Sequence, residues 1–303
     1  MLQSKENSVK IEGILSEIDL ESRSYTKDGR NVECISGSIK VRVAQVLNGK
    51  EVELEVPVYL FSNKLTKAGA PNPAFTSIEK VMKEFKSIAA VGLDEADRVR
   101  ITGASIRMNE YYGTTGNLNS YPRIHASFIN KITDMSKYSP EATFSAIFAI
   151  GDMNYETDKD GVEIPDRYKI RGILPQYGGT VDVVDFFALS PNVINGISGW
   201  QRGDTVKVLG KLNFTSRVEE KLIEVDFGEP QVRKQTVSVS ELVITGGSAA
   251  PLEGDFAFDW DEIEVALKER QTRLAALKEK GKSEAPKKAA SAPAKRDFSN
   301  LGF

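Results

Sequence analysis

The order of predicted secondary structure occurs twice along the chain, and this limits the possible folds more than any single motif. Between residues 9 and 132, and again between 143 and 244, the pattern predicts three strands, one helix and two further strands. The strands follow from alternating apolar and polar side chains, as in 38–43, and from the hairpin signal Asn48-Gly49. In the first unit the helix follows from apolar side chains at helical spacing in 73–89.

Five strands with a helix between the third and the fourth is the element order of the oligonucleotide-binding barrel, or OB-fold. We therefore expect an all-β protein with minor helix, built from two tandem OB-fold barrels in residues 1–135 and 136–250. Residues 251–281 are predicted to form an acidic linker and a helix capped by Asp259. Residues 282–303 are predicted to be a disordered tail, because Ala, Lys, Pro and Ser bury little apolar surface. A generic β-sandwich is the alternative fold.

Composition excludes several classes of protein. The single cysteine, Cys34, rules out a disulfide framework, and the single histidine, His125, rules out multi-histidine metal sites. No nucleotide-binding glycine motif occurs, so we expect neither an enzyme nor a cofactor. No apolar run is long enough to cross a membrane, and we expect a cytoplasmic protein without a membrane partner. Lys and Arg total 40 against 43 Asp and Glu, so a nucleic-acid site would have to be a local groove.

Three segments carry a resemblance to a known family. Residues 200–212, WQRGDTVKVLGKL, resemble the passage from helix to fourth strand in bacterial and phage single-stranded DNA-binding proteins, and 183–189 resemble the strand before it. The C-terminal tail, which ends in Phe303, resembles the tail of that family. Two barrels and a tail in one chain are more like a phage-encoded member.

The resemblance implies binding and protection of single-stranded DNA during replication, recombination and repair, without sequence specificity. It also implies that the tip of the tail recruits replication and recombination proteins. This tip carries a single acidic residue, whereas the tip of the family is rich in acids. The docking residues predicted on this basis are Asp297, Phe298, Leu301 and Phe303.

The candidate binding residues are aromatic side chains that can stack on bases and cations that can follow phosphates. In an OB-fold they lie on the second and third strands and in the flanking loops. In the first unit these are Tyr25, Lys27, Arg30, Lys40, Arg42, Tyr59, Phe61, Arg107, Tyr111, Tyr112, Tyr121 and Arg123. In the second unit they are Tyr155, Tyr168, Lys169, Arg171, Tyr177, Phe187, Trp200, Arg202, Phe214 and Arg217. For Tyr59 and Phe61 a position in the core or against the helix is an equally open interpretation, and a tryptophan at the position of Trp200 is more often a helix-packing residue.

Two other functions remain open at the level of sequence. OB-like barrels also serve as structural modules in phage tails and baseplates, where the aromatic loops would contact protein. An RNA-binding protein of translation is a second alternative. The sequence leaves the oligomeric state and the preference between DNA and RNA undetermined.

Overall fold

A computed structural model describes residues 2–113, 116–158, 160–223 and 231–284, and describes no side chains in 216–237 or 280–284. The first half of the chain forms a β-barrel with two helices between its third and fourth strands. Its elements are β1 (Asn7–Lys27), β2 (Arg30–Leu47), β3 (Lys50–Asn63), α1 (Pro73–Glu84), α2 (Ile88–Val91), β4 (Arg98–Tyr112), β5 (Leu118–Ala126) and the short β6 (Ile129–Lys131).

The second half repeats this order after a turn of 3-10 helix at Met135–Lys137. The predicted domain boundary at 135/136 falls in this turn. The elements of the second barrel are β7 (Glu141–Thr157), β8 (Glu163–Pro175), β9 (Val181–Ala188), α3 (Pro191–Gly196), β10 (Thr205–Ile223) and β11 (Gln231–Gly247), followed by a 3-10 turn at Gly254–Phe256 and by α4 (Trp260–Glu284).

Both barrels close with the same strand order. β1 pairs with β2, β2 with β3, β3 with β5 in parallel, β5 with β4, and β4 returns to β1. The second barrel closes identically through β7, β8, β9, β11 and β10, with β9 and β11 parallel. This is the OB-fold topology, so the predicted fold class is confirmed.

The duplication extends to individual hydrogen bonds. A break in strand register follows Leu15 in β1 and Ile150 in β7, and the amides of these two residues donate to Asp97 O and Asp204 O at 2.9 and 2.8 Å. Positions in one barrel can therefore be equated with positions in the other through their pairing registers.

A shared sheet joins the two barrels. Residues 7–12 of β1 pair antiparallel with residues 141–146 of β7, and the buried apolar side chains of both barrels form one contiguous cluster. Gln45, 7% exposed, donates to Leu212 O at 2.8 Å and accepts from Ala142 N at 2.9 Å. The barrels are thus connected by backbone pairing, apolar packing and satisfied polar groups.

Helix α4 packs against β4 and β9, across the junction of the barrels. The predicted cap is confirmed, because Asp259 Oδ1 accepts from Asp261 N at 2.8 Å. Ile263 is fully buried on the inner side of the helix. None of the described helices combines the length and apolar character needed to cross a membrane.

Candidate nucleic-acid interface

The outer face of β3, β4 and β5 carries alternating aromatic and cationic side chains. Tyr59 of β3 is paired in register with His125 of β5, and Arg123 of β5 is paired with Arg107 of β4. Because alternate residues of a strand share one face, these side chains project from the same side of the first barrel. We call this surface the aromatic platform; it consists of Tyr59, Phe61, Arg107, Tyr111, Tyr121, Arg123 and His125.

Arg123 lies at the centre of the platform. Its guanidinium carbon lies 4.1 Å from the ring centroid of Tyr59 and 5.3 Å from that of Tyr121, and its Nη2 donates to the Tyr121 hydroxyl at 2.8 Å. The rings of Tyr59 and His125 are stacked at 5.9 Å, and Tyr121 meets Tyr111 edge-on at 6.3 Å. One chain of contacts therefore runs across the three strands.

The two ends of the platform are the most accessible to a ligand. Phe61 is 54% exposed and Tyr111 is 47% exposed, while Tyr59 and Tyr121 are half-buried. An exposed phenylalanine at the end of a strand presents a ring face to solvent. The core interpretation of Phe61 is therefore wrong.

The charge of the platform is positive. Among the described residues, no carboxylate oxygen lies within the 4.0 Å ion-pair distance of a nitrogen of Arg107 or Arg123. Desolvation, followed by the charges of Arg107 and Arg123, lowers the pKa of His125. The imidazole is therefore neutral at pH 7, and two guanidinium groups remain available for phosphates.

A cationic cleft of about 890 Å³ continues the platform beyond Phe61. It lies between the tip of the β1–β2 hairpin and the segment after β3, and Tyr25 donates to Asn63 Oδ1 across it at 3.2 Å. Asn63 shares the outer face of β3 with Phe61, so platform and cleft are continuous. The cations that line the cleft are Lys27, Arg30, Lys64 and Lys67.

The cations predicted on β2 lie in a different electrostatic environment. Lys40 Nζ is 2.6 Å from Glu17, whose hydrogen bond raises the pKa of Lys40, and Arg42 is ion-paired with Glu53. Glu55 lines the same depression. Carboxylates of this chain therefore already neutralise the two predicted phosphate contacts.

Tyr112 lies apart from the platform. It follows Tyr111 in β4 and therefore projects to the opposite face, where Lys278 Nζ of α4 lies 5.8 Å from its ring centroid. Two adjacent tyrosines predicted for one site thus have different surroundings.

The equivalent face of the second barrel is neutralised by its own carboxylates. Phe187 pairs with Val243, as Tyr59 pairs with His125, so Glu241 occupies the position that Arg123 has in the first barrel. Arg167 lies 5.4 Å from the Phe187 ring and is ion-paired with Glu241 at 2.7 Å.

Of the other predicted strand residues, Lys169 and Arg171 lie on this face, because Lys169 pairs in register with Phe187, whereas Tyr168 projects to the opposite face. Arg171 is paired with Asp185 at 3.0 Å, and Tyr155 packs edge-on against Tyr168 at 4.9 Å. Lys169 follows Tyr168 in β8 and is half-buried. The structure does not assemble these side chains into a second aromatic and cationic surface.

Two predictions in the second barrel are wrong. Trp200 is 4% exposed and Phe214 is 3% exposed, and both belong to the apolar core, so neither ring face is free to stack on a base. Arg202 lies 5.8 Å from the ring of Trp260, at the start of α4.

Some predicted residues cannot be placed. The side chain of Arg217 and the docking residues Asp297, Phe298, Leu301 and Phe303 lie outside the described residues. Their assignments stay predictions.

The structure adds three residues to the predicted set. His125 continues the alternation of Tyr121 and Arg123 along β5, and this period of two was visible in the sequence. Lys64 and Lys67 follow β3 in a polar loop, where only the folded hairpin shows that they face Tyr25.

Comparison with known proteins identifies the family of the chain. A family model described as YorF matches residues 5–281. The chain belongs to the YorF family. A search of curated proteins gave no match to this YorF protein.

Solved structures similar to the YorF protein include two of the single-stranded DNA-binding protein from Thermus aquaticus. A deletion variant shares 13% identity at a TM-score of 0.48 and covers 84% of this chain and 98% of its own. The wild-type protein shares 12% identity at the same TM-score of 0.48 and covers 86% and 99%. A replication protein A heterotrimer bound to single-stranded DNA shares 11% identity at a TM-score of 0.23, covering 90% and 54%. At these values no residue role transfers to the YorF chain.

Proposed function

We propose that this YorF protein binds single-stranded DNA with little sequence preference on the outer face of its first barrel. The observation that carries the proposal is the aromatic platform, where stackable rings alternate with two arginines that form no ion pair within 4.0 Å among the described residues. Stacking tolerates any base because every base has an aromatic face, and cations follow the backbone without regard to sequence. A face with exposed rings fits unstacked bases, which a duplex does not expose.

The first barrel rather than the second is the binding barrel in this proposal. Platform and cleft together bring six cations to one surface, of which Lys64 is paired with Glu33. On the second barrel, Glu241 stands at the position of Arg123 and holds Arg167. A strand on that face would have to displace existing ion pairs before it gained phosphate contacts.

We further propose that the protein acts by covering exposed strands during replication, recombination or repair, and that it binds rather than catalyses. This step rests on the resemblance of residues 183–189 and 200–212 to single-stranded DNA-binding proteins. Recruitment of replication and recombination proteins through Phe298, Leu301 and Phe303 is part of the same proposal. Its test is capture of such enzymes by the full chain but not by a chain that lacks the last seven residues.

Titration of a fluorescent dT oligonucleotide tests the binding itself. We expect at least tenfold weaker binding to duplex DNA of the same length. With five cations free of described ion pairs on platform and cleft, and roughly −0.7 for each phosphate contact, the log–log salt slope should be about −3 to −4. Equal affinity for duplex and single strand, or no binding at low salt, would contradict the function. An RNA oligonucleotide of the same length shows whether the 2′-hydroxyl is tolerated.

A matched pair of arginine variants tests the location. Arg123→Met keeps an unbranched apolar chain between the tyrosines but removes the charge, and should weaken dT binding at least tenfold. Arg171→Met removes an arginine from the second barrel and should leave binding within twofold of wild type. The opposite ranking would place the strand on the second barrel.

A further inference from the structure

A turn of the second barrel docks against the open edge of β4. β4 leaves its pairing with β1 after Ala104, and the following backbone groups are satisfied by side chains. Ile106 O accepts from Asn7 Nδ2 at 2.9 Å and from Gln176 Nε2 at 3.1 Å, and Ile106 N donates to Asn7 Oδ1 at 2.8 Å. Gln176, in the turn between β8 and β9, is 2% exposed, so this contact is fully enclosed.

The strand after the turn provides a second anchor on the same edge. Asp182 Oδ2, at the start of β9, accepts from Met108 N at 3.2 Å, two residues along β4 from the first anchor. Between the anchors, Thr180 lines a cleft of about 260 Å³ together with Arg107 and Asn109, which belong to the platform side of β4. The turn therefore lies directly beside the platform.

The turn itself is internally fixed. Gln176 N donates to Thr180 O at 2.8 Å, and Gly179 N donates to Gln176 O at 3.2 Å. Gly178 and Gly179 adopt φ of +93° and +82°, values that favour glycine. Between the buried Gln176 and these glycines stands Tyr177, which is 93% exposed.

We propose that Tyr177 is part of the strand-binding interface of the first barrel, so that the β8–β9 turn of the second barrel completes the aromatic platform. This rests on the proposed function. A strand that crosses β5 and β4 past Arg107 next reaches this turn, and an anchored tyrosine with a free ring offers a stacking surface with little ordering cost. The second barrel would then contribute to binding in two ways: its hydrogen bonds stabilise the edge of β4, and Tyr177 extends the aromatic platform.

Three tyrosine variants in the full chain test this assignment by dT titration. Tyr177→Ala should bind about 5- to 160-fold more weakly, the range expected for one stacked base. Tyr177→Phe keeps the ring and should bind within twofold of wild type. Tyr155→Ala is the matched control, because Tyr155 is a 38% exposed tyrosine of the second barrel that is remote in sequence from the docked turn; it should also bind within twofold.

Thermal denaturation separates binding from folding. Since Tyr177 is almost fully exposed, its replacement should shift the melting temperature by less than about 1 °C, so weaker binding would come from the lost ring. If wild type binds dT but Tyr177→Ala binds equally well, the inference is overturned while the proposed function stands. If only Tyr155→Ala weakens binding, the second barrel uses its own face and the inference is likewise overturned. Failure of wild type to bind dT would reject the proposed function instead.

Discussion

At the scale of single residues, the platform depends on which way each side chain of β4 projects. Tyr111 faces the platform and Tyr112 faces α4, so the two adjacent rings form a matched pair. Tyr111→Ala should weaken dT binding by about 1–3 kcal/mol, the contribution of one stacked base. Tyr112→Ala should leave binding nearly unchanged. Fluorescence titration with dT measures the affinity of both variants. Equal losses of affinity would show that the strand contacts both faces of β4.

A second residue-scale prediction concerns Glu12, which is 1% exposed where β1 meets both β4 and β7. Its carboxylate accepts from Arg100 Nε at 2.7 Å and from Ser139 N at 2.6 Å. Burial alone would raise the pKa of Glu12, but these hydrogen bonds outweigh it and the pKa is lowered. Glu12→Gln should therefore reduce the free energy of unfolding by about 1–3 kcal/mol at pH 7.

The pH dependence of this effect follows from its sign. A lowered carboxylate pKa gives stability that is present above the unfolded-state pKa, about 4.3, and is lost as the pH falls through the folded-state pKa. Urea unfolding should therefore show a smaller difference in the free energy of unfolding between wild type and Glu12→Gln at pH 3 than at pH 7. A difference that stays constant with pH would show that the charge of Glu12 is irrelevant.

At the scale of elements, α4 holds the β4–β5 hairpin from behind. Arg270 is ion-paired with Glu110 of β4, whose side chain is 5% exposed, and Arg273 approaches the same carboxylate at 3.6 Å. Among the described ion pairs, Arg270→Ala leaves the buried carboxylate of Glu110 with only the more distant Arg273 as a partner. This substitution should lower the free energy of unfolding by about 1.5–3 kcal/mol. Faster hydrogen exchange in 105–112 should accompany the loss.

The double variant Glu110→Gln/Arg270→Ala provides the control for α4. It removes the uncompensated charge together with its partner, so it should be more stable than Arg270→Ala alone. A double-mutant cycle compares the free energies of unfolding of wild type, Glu110→Gln, Arg270→Ala and the double variant in urea. If the effects of the two single substitutions simply added up, the ion pair would not stabilise the hairpin.

The helices and strands also show which features of the fold could be predicted from the sequence. The strand order, the Asn48-Gly49 hairpin and the Asp259 cap followed from patterns that are local in sequence. The extension of β1 and β2 to Asp28-Gly29 did not, because both faces of this hairpin tip are in water and leave no alternation. Trp200 was ambiguous for a related reason, since only tertiary packing shows that it is in the core.

The distinction between the barrels required strand registers. Arg123 and Glu241 become equivalent positions only when the parallel pairing of the third and fifth strands is known. The docking of Gln176 against Ile106 likewise joins residues 70 positions apart. Sequence patterns identified the aromatic and cationic residue types but could not say which of them share a surface.

At the scale of the whole molecule, the two barrels should unfold together. They share backbone pairing between β1 and β7, one apolar cluster, and the enclosed amide of Gln45. Unfolding of either barrel would expose apolar surface of the other, so the two barrels have no separate free energies of unfolding. We expect a single calorimetric transition whose van't Hoff and calorimetric enthalpies agree. Two resolved transitions would contradict this coupling.

The position of β1 between the barrels also has a practical consequence for fragments of this chain. Residues 7–12 cover the edge of β7 that would otherwise present unpaired amides and carbonyls at 141–146. A fragment with only the second barrel would expose this edge beside apolar residues such as Phe144, and an open edge of this kind recruits strands from other molecules. Fragments cut between the barrels should therefore self-associate, whereas a second barrel supplied with a peptide of residues 2–13 should stay monomeric.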